Sequence, residues 1–388
     1  MFRIQTLNKI SAKGLEVFPS GDYEIAPELT QPDAILVRSA SLHELELPAT
    51  LRAIARAGAG TNNIPVELCT QKGIVVFNTP GANANAVKEV IIAGMLLSSR
   101  KIFEGIQWTR GLAGKGKEIP SLVEAEKSRF AGPELHGKTL GIIGLGAIGV
   151  LVANAALSLG MRVIGYDPFI SIESAWHLSR EVERMQGLES LLCQSDYLTI
   201  HTPLTDKTRG LLSAERFSLM KKGVRIMNFA RGDLVNNEDL IKALRSGHVA
   251  CYVTDFPEDE LLKEENVIAV PHLGASTPES EDNCAVMAVQ QVRIFLETGN
   301  IRHSVNFPDC FMEKNNKKRI IIANKNIPNM VGQITNALAE RKINIADLLN
   351  RHMDDLAYNI IDIDNELTAD TLEKLRSIEG VVMVREIP

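Results

Sequence analysis

Residues 140–149 read LGIIGLGAIG, a short apolar run that enters a glycine-rich turn. Gly144, Gly146 and Gly149 have the spacing G-x-G-x-x-G, and an acid, Asp167, follows eighteen residues after the last glycine. The apolar run predicts a buried parallel strand. In such a turn the first glycine allows the tight bend, the second lets a pyrophosphate approach the backbone, and the third lets the next helix pack close. Strand, turn, helix and acid together are typical of a dinucleotide-binding unit.

Asp167 also indicates which dinucleotide is bound. It ends the apolar run 162–166, where its carboxylate can accept hydrogen bonds from both ribose hydroxyls. A carboxylate at this place repels the 2′-phosphate of NADP, and no arginine or lysine follows until Arg180. The sequence therefore predicts NAD as the cofactor.

Composition restricts the class of protein. A chain of 388 residues predicts two or three domains, and 45% hydrophobic with 23% charged residues is ordinary for a globular protein. The net charge of −6 gives no electrostatic reason to expect nucleic acid or an anionic membrane as a partner. The N-terminal stretch MFRIQTLNKI has no apolar signal core, and the run 90–97 is too short to span a bilayer. We expect a cytoplasmic protein with no bound metal, because its five cysteines are scattered without metal-ligand spacing.

The pattern of apolar runs predicts an α/β fold with three parts. Residues 1–95 alternate strands and helices, with strands expected at 3–7, 34–38, 53–56 and 75–78. A long amphipathic helix is expected at 84–107 and a loop at 111–129. Six further strands are expected at 139–143, 162–166, 197–201, 224–229, 250–255 and 266–270, and a helix at 278–298.

The last seventy or so residues predict a separate unit after a polar linker at 309–319. Their order is βαββαβ, the ferredoxin-like arrangement. The expected division is a flavodoxin-like substrate domain (1–95 and 276–308), a Rossmann NAD domain (96–275) and a small C-terminal domain (319–388). The first two are doubly wound α/β domains.

Two residues whose side chains could take part in the oxidation of an alcohol follow strands of the nucleotide domain. Arg231 could fork onto the carboxylate of a 2-hydroxy acid, and His272 could take the hydroxyl proton. Taken singly, Arg231 could also be a surface residue that closes a turn through Gly232, and a histidine in the place of His272 is more often structural than catalytic. The acidic run 255–260 offers a carboxylate to orient the histidine, although most of such a run is normally solvated surface.

The combined motifs of the chain resemble those of the D-isomer-specific 2-hydroxyacid dehydrogenases. These motifs are the glycine turn and, after it in the sequence, Asn228-x-Ala230-Arg231-Gly232, Asp255 and Pro271-His272. The resemblance covers roughly residues 1–308. It implies that Arg231 is the substrate-binding and catalytic arginine, that His272 is the acid-base residue, and that Glu260 is the catalytic acid paired with it. Phe256-Pro257 and the missing Glu-Pro pair depart from the family pattern, so Glu258 or Asp259 could serve instead.

The resemblance also implies a set of binding residues. Positions expected beside the cofactor are Gly144, Gly146, Ala147, Ile148, Gly149, Asp167, Thr79, His201, Thr202, Pro203, Ala230, Asp255 and Gly274. Positions expected beside the substrate are Arg38, Arg56, Ala59, Gly60 and Asn83. The stretches 37–39 and 56–60 are most similar to members that oxidise 3-phosphoglycerate, whose negative charges suit clustered arginines. Alternatively, both arginines could be ordinary surface residues at strand ends. Asn62 stands where the family usually has Asp, and we expect it to act only as a turn former.

The C-terminal unit resembles an ACT regulatory domain through residues 326–332 and 342–345. The resemblance implies L-serine as an effector bound by Asn326 and Asn344. Asn329 replaces a common glycine, and Asn324 stands where serine-regulated relatives have histidine. The alternative is a degenerate domain that is kept for assembly.

The resulting expectation is NAD-dependent oxidation of 3-phosphoglycerate by a homodimer or homotetramer. Two alternatives stay open. One is a reductase of the same family that acts on glyoxylate, hydroxypyruvate or D-lactate. The other is a non-catalytic protein that senses NAD.

Overall fold

The structure, a computed structural model, describes residues 1–387 and divides the chain into two compact units. The first unit consists of Met1–Ala82 together with the chain from Pro278 onward, and the second is Asn83–Thr277. No helix of the described residues is both long and apolar enough to cross a membrane.

The N-terminal part of the first unit is a five-stranded parallel sheet in the order β2-β1-β3-β4-β5, the flavodoxin-like order expected. Its elements are β1 (Phe2–Leu7), α1 (Ala12–Leu15), β2 (Tyr23–Ala26), β3 (Ala34–Val37), β4 (Ala53–Arg56), α2 (Val66–Gln71) and β5 (Val75–Phe77). Strand β2 was not predicted. It is a partly exposed edge strand that pairs only with β1, so its sequence lacks the apolar run of the buried strands.

The second unit contains a seven-stranded sheet in the order β12-β11-β10-β9-β6-β7-β8, with every pair of neighbours parallel. This is the doubly wound order of a dinucleotide-binding domain with one additional strand. Its elements are α3 (Ala84–Arg100), α4 (Ile102–Arg110), α5 (Ile119–Glu126), β6 (Thr139–Ile143), α6 (Ala147–Ser158), β7 (Arg162–Tyr166), α7 (Ile172–His177), β8 (Glu183–Arg184), α8 (Leu188–Gln194), β9 (Tyr197–Ile200), α9 (Ala214–Leu219), β10 (Val224–Asn228), α10 (Asn237–Arg245), β11 (Val249–Thr254) and β12 (Val267–Ala269).

Three expectations for the second unit were wrong. The predicted helix 84–107 is two helices, because Lys101 adopts a left-handed conformation (φ 45°, ψ 38°) between α3 and α4. The predicted loop 111–129 contains α5, flanked by short 3-10 helices. Strand β8 was missed because it is two exposed residues at the sheet edge.

The remainder of the first unit begins with a long helix and continues with the expected βαββαβ order. Its elements are α11 (Pro278–Thr298), β13 (Lys318–Lys325), α12 (Met330–Glu340), β14 (Ile345–Met353), β15 (Leu356–Ile363), α13 (Ala369–Arg376) and β16 (Val381–Ile387). The four strands form an antiparallel sheet in the order β14-β15-β13-β16, which confirms the ferredoxin-like arrangement.

This C-terminal sheet shares a hydrophobic core with the N-terminal part of the unit. Ile321 and Tyr358 belong to the same buried cluster as Phe77 of β5 and Phe295 of α11. The segment expected to be a linker is packed only near its start, where Cys310 is buried and its backbone bonds to Ile301 in both directions, whereas residues 313–318 are exposed. The division into three domains stays a prediction.

Side chains of the C-terminal sheet also cap the end of α11. Arg385 donates to the carbonyls of Phe295 and Leu296, and Arg319 donates to the carbonyl of Thr298 at 3.1 Å. The Tyr358 hydroxyl donates to the carbonyl of Gly299 at 2.6 Å. These donors satisfy carbonyls that a helix C-terminus leaves without partners, and the two cations suit its negative dipole end.

Candidate cofactor and catalytic site

The glycine turn has the close contacts that its sequence predicts. Gly144 has φ +93°, and a Cβ there would lie 2.7 Å from the carbonyl oxygen of His201. A Cβ on Gly149 would lie 2.1 Å from the carbonyl oxygen of Gly144. Gly146 precedes the first turn of α6, which contains Ala147 and Ile148, and a Cβ there would meet nothing within 4 Å. The space above Gly146 therefore fits a pyrophosphate at the positive end of a helix.

These two environments predict that alanine at Gly146 affects cofactor binding, whereas alanine at Gly149 affects stability. Gly146→Ala should fold normally and weaken NAD binding about tenfold, because its methyl group enters the phosphate space. Gly149→Ala should lower the free energy of unfolding by about 1–3 kcal/mol through overpacking. Fluorescence titration with NADH and urea unfolding measure the two effects. A Gly146→Ala protein that binds NADH like the wild type would contradict the assignment.

Asp167 supports the turn and is only partly buried. Its Oδ2 accepts from the backbone N–H of Leu145 and its Oδ1 accepts from the backbone N–H of Phe169, both at 2.8 Å. Each carboxylate oxygen can accept a second hydrogen bond, so the ribose hydroxyls can still bind. The sequence prediction did not foresee that the same carboxylate would fix the turn.

Four predicted site segments follow neighbouring strands of the same sheet. His201, Thr202 and Pro203 follow β9, Ala230 and Arg231 follow β10, Asp255 follows β11, and Pro271-His272 come shortly after β12. Because the strands are parallel, their carboxyl ends meet at one edge of the sheet, where ligands bind in doubly wound folds. The glycine turn follows β6 at the same edge.

Asn228 holds the loop that presents Arg231. Its side chain is fully buried, donates to the carbonyl of Arg231 at 2.9 Å and to the hydroxyl of Tyr252 at 3.1 Å, and accepts from Ala230 at 3.2 Å. Arg231 itself is exposed and donates from Nη1 to the carbonyl of Ala230. Asn228 belonged to the motif but was assigned no role, although its place as the last residue of an apolar strand was the available signal.

Asp255 is a buried acid that directly follows β11, with only 2% of its surface exposed. Its Oδ2 accepts a long hydrogen bond (3.4 Å) from the backbone N–H of Gly274, while its Oδ1 has no partner among the described residues. Burial raises the pKa of the Asp255 carboxyl, and the positive charges of His272 and Arg231 oppose that rise. His272 lies two residues before Gly274, whose backbone N–H bonds to Asp255, so the histidine and this acid belong to the same region of the sheet edge.

Most of the buried side-chain atoms that lack a hydrogen-bond partner belong to predicted site residues. Seven buried side-chain atoms of the described residues have no hydrogen-bond partner, and four of them belong to Thr79, Asn83, Thr202 and Asp255. A buried polar group without a partner is costly, so such atoms point to a missing ligand. With the open space at Gly146, the orphaned atoms of Thr202 and Asp255 show that the second unit's residues fit a nicotinamide dinucleotide.

His201 stays neutral at physiological pH. Its Nε2 lies 3.0 Å from Thr199 Oγ1, and its backbone N–H donates to the carbonyl of Ile143 at 2.7 Å. Burial lowers the pKa of its imidazole to about 3. The residue therefore offers a neutral, hydrogen-bonding ring beside the glycine turn.

His272 lies near Asp255, but the structure does not pair it with an acid of the 258–260 run. Its exposed ring meets the ring of Phe256 edge-on, with centroids 5.0 Å apart. Across residues 1–387, no hydrogen bond or ion pair joins His272 to a carboxylate. Asp259 is bound to Lys263, and Glu258 Oε1 lies 3.7 Å from the Cβ position of Gly232. Glu260 is exposed at the start of a short 3-10 helix.

The first-unit residues form a cluster of their own at the ends of β3 and β4. Arg56 Nε donates to the carbonyl of Arg38 at 3.0 Å, and its Nη1 donates to Asn62 Oδ1 at 3.2 Å. A Cβ on Gly60 would lie 2.6 Å from Arg56 Nη1. Asn62 is therefore more than a turn former, because its amide oxygen orients the arginine.

Two further side chains hold this cluster. Arg38 forms an ion pair of 2.6 Å with Glu281 in the first turn of α11, a partner that sequence reasoning missed. Asn78 Nδ2 donates to the carbonyl of Ala59 at 2.6 Å. Both partners are far from the cluster in sequence, and no local pattern marks them.

Asn326 and Asn344 are not brought together within one chain. Asn326 bonds to the turn at Asp354 and Asp355, before β15, whereas Asn344 bonds to Asp364, after β15. The eight residues of β15 separate the two by roughly 25 Å. The two side chains of one chain therefore cannot contact the same serine, and serine binding by Asn326 and Asn344 stays a prediction.

Comparison with known proteins agrees with the geometry. Residues 92–274 match the family model described as D-isomer specific 2-hydroxyacid dehydrogenase, NAD binding domain. The chain is 35% identical over 335 residues to D-3-phosphoglycerate dehydrogenase of Methanocaldococcus jannaschii, which covers 84% of this chain and 61% of that protein. The chain spans about half to three-fifths of the length of the curated relatives that it matches.

Two solved structures share its fold. The NAD+-bound 3-phosphoglycerate dehydrogenase of Entamoeba histolytica is 28% identical with a TM-score of 0.61, covering 79% of this chain and 98% of that one. A glyoxylate reductase from Paecilomyes thermophila is 27% identical with a TM-score of 0.64, covering 78% and 98%. The second unit therefore contains the NAD-binding domain of the D-isomer-specific 2-hydroxyacid dehydrogenase family, and the chain is similar to members of that family over most of its length.

Proposed function

We propose that the protein oxidises 3-phosphoglycerate to 3-phosphooxypyruvate with NAD, the first step of L-serine biosynthesis. The observation that carries the proposal is the placement of Arg231, Asp255 and His272 at the same sheet edge as the glycine turn. The similarity to several D-3-phosphoglycerate dehydrogenases supports this choice within the family.

The proposed roles follow from the chemistry of each residue. NAD bound along Gly144–Gly149 and Asp167 supplies the hydride acceptor. Arg231 binds the substrate carboxylate and the oxygen on C2. His272 accepts the hydroxyl proton as the hydride leaves C2, so the substrate loses two electrons and two hydrogens in all. Glu260 is the proposed acid partner of His272, which would require a rearrangement of the exposed 258–260 run when substrate binds.

The phosphate is the proposed ligand of the first-unit arginines. Arg38 and Arg56 carry two positive charges on adjacent strand ends, and Asn62 and Glu281 hold their side chains. Ala59, Gly60 and Asn83 complete the proposed substrate-binding set, whereas Thr79 is proposed to lie beside the nicotinamide. Two charge-assisted contacts to a phosphate should distinguish 3-phosphoglycerate from unphosphorylated glycerate.

The experiment is a spectrophotometric NADH assay with 3-phosphoglycerate, D-glycerate, D-lactate and glycolate. We expect kcat/KM for 3-phosphoglycerate to exceed that for D-glycerate at least about a hundredfold. Equal turnover of both acids would contradict the substrate and favour another reductase of the family. An inactive protein that still binds NADH would favour the non-catalytic, NAD-sensing alternative.

We further propose a cytoplasmic homodimer or homotetramer that is inhibited by L-serine. Since Asn326 and Asn344 lie at opposite ends of β15, a serine that contacts both would have to bind between two copies of the chain. Inhibition should then disappear in Asn344→Ala and depend on the oligomeric state, as measured by light scattering.

A further inference from the structure

A cavity of about 440 Å³ lies inside the first unit, between its N-terminal part and the C-terminal sheet. One wall is formed by Thr50–Arg52, just before β4, and by the turn at Lys72 and Gly73 after α2. The other wall is formed by β16 and by Arg376 at the end of α13. None of these residues belongs to the proposed catalytic or cofactor site.

The walls are in direct contact beside the cavity. A Cβ on Gly73 would lie 2.8 Å from the Cβ of Met383 in β16, and Gly73 has φ +71°. The turn after α2 therefore packs directly on the edge strand of the C-terminal sheet. The space that remains is bounded by two elements that are fixed against each other.

The lining of the cavity is predominantly cationic. Four positively charged side chains, Arg52, Lys72, Arg376 and Arg385, line it. The acids nearby are Glu386, which also lines the cavity, and Asp33, whose carboxylate lies 3.5 Å from Arg52 Nε. Two carboxylates leave an excess of about two positive charges around a space of small-molecule size.

Arg385 is the unusual member of this group. Only 7% of its surface is exposed, yet its partners are helix carbonyls and the ring of Phe295, 4.9 Å from its guanidinium carbon. Its Nε has no hydrogen-bond acceptor among the described residues. Burial, together with the positive charge of Arg52, lowers the pKa of Arg385 to about 10. A buried guanidinium without a carboxylate is electrostatically costly, and an anion nearby would relieve that cost.

We propose that this cavity is a binding site for a small dianion of the phosphate class. Arg52, Lys72 and Arg376 would contact the anion, and the buried positive charge of Arg385 would attract it. Lys72 and Arg376 come from opposite walls, so an anion between them would bridge the N-terminal part of the unit and β16. The site is distinct from that of the proposed oxidation, because none of its four cations is among the residues assigned to that reaction. Free phosphate and a phosphate monoester share the required chemistry.

The test is amide hydrogen exchange of the full chain with inorganic phosphate, with glycerol 2-phosphate, or with sodium chloride at matched ionic strength. We expect either phosphate compound, but not chloride, to slow exchange in β16 and in residues 49–52 and 72–73. Protection by glycerol 2-phosphate alone would identify the ligand as a monoester. No protection of these segments by either compound would overturn the proposal.

A pair of double variants assigns the effect to the cavity. Lys72→Gln/Arg376→Gln removes two exposed lining cations and should raise the Kd for the protecting compound at least about tenfold, by calorimetry. Lys325→Gln/Lys374→Gln removes the same charge from exposed positions outside the cavity and should leave Kd unchanged. Phosphate bound at Arg38 and Arg56 would instead protect 38–40 and 56–60, without β16, and this protection would persist in both variants. If the first pair retained full protection of β16, the site would lie elsewhere and the proposal would be wrong.

Discussion

Replacement of His272 by alanine is expected to lower kcat for 3-phosphoglycerate oxidation by about 10²–10⁴-fold, the usual contribution of a positioned acid-base residue. Without the imidazole, no neighbouring side chain takes the hydroxyl proton as the hydride leaves. Steady-state NADH formation measures the effect. The Kd for NADH should change little, because the glycine turn and Asp167 remain intact.

Two sets of controls sharpen this result. His177→Ala removes an exposed histidine of α7 and should leave kcat unchanged. Glu258→Gln, Asp259→Asn and Glu260→Gln should show which acid supports His272, and we expect only Glu260→Gln to lower kcat. An unchanged kcat in His272→Ala would remove the histidine from the mechanism, whichever acid proved important.

Asp362→Ala is expected to lower the free energy of unfolding by about 3–5 kcal/mol, because it leaves a buried cation unpaired. Asp362 and Arg319 are 1% and 0% exposed, and their two hydrogen bonds measure 2.6 and 2.9 Å. Arg319 also donates to the carbonyls of Thr298, Met312 and Glu313, so it cannot move to solvent without breaking the cap of α11. Urea unfolding measures the change.

The matched comparison for this pair is Asp364→Ala. Asp364 is paired with Lys317 at 2.6 Å at the exposed end of the same strand, and its loss should destabilise the fold far less than the loss of Asp362. The double replacement Arg319→Met/Asp362→Leu should recover much of the loss, since it removes both charges together. An Asp362→Ala protein no less stable than Asp364→Ala would show that the buried pair is not held as described.

The sequence was most informative where a local pattern has a local cause. The glycine turn, the apolar strands of both parallel sheets and the βαββαβ order follow from spacing and periodicity within short windows. The break at Lys101 could not be predicted, because a continuous apolar stripe hides a single left-handed residue. The exposed helix α5 was hidden by a glycine- and lysine-rich stretch.

Contacts between residues far apart in the sequence could not be predicted from it, for a different reason. The pairing of Arg38 with Glu281 joins residues far apart in sequence, and each alone is an ordinary surface charge. The same holds for Arg385, which looks like an edge-strand arginine until α11 is placed against it. Only the folded chain shows that such charges have specific partners.

The capped helix α11 has a consequence for how this protein could be recombined with its relatives. Its first turn pairs Glu281 with Arg38, while its last carbonyls are held by Arg319, Tyr358 and Arg385. A cut between 309 and 317 would separate those donors from the helix and expose apolar residues such as Phe295 and Phe307 to water. A chimera that exchanged the C-terminal sheet alone would inherit these defects, so α11 and the sheet would have to be transplanted as one piece.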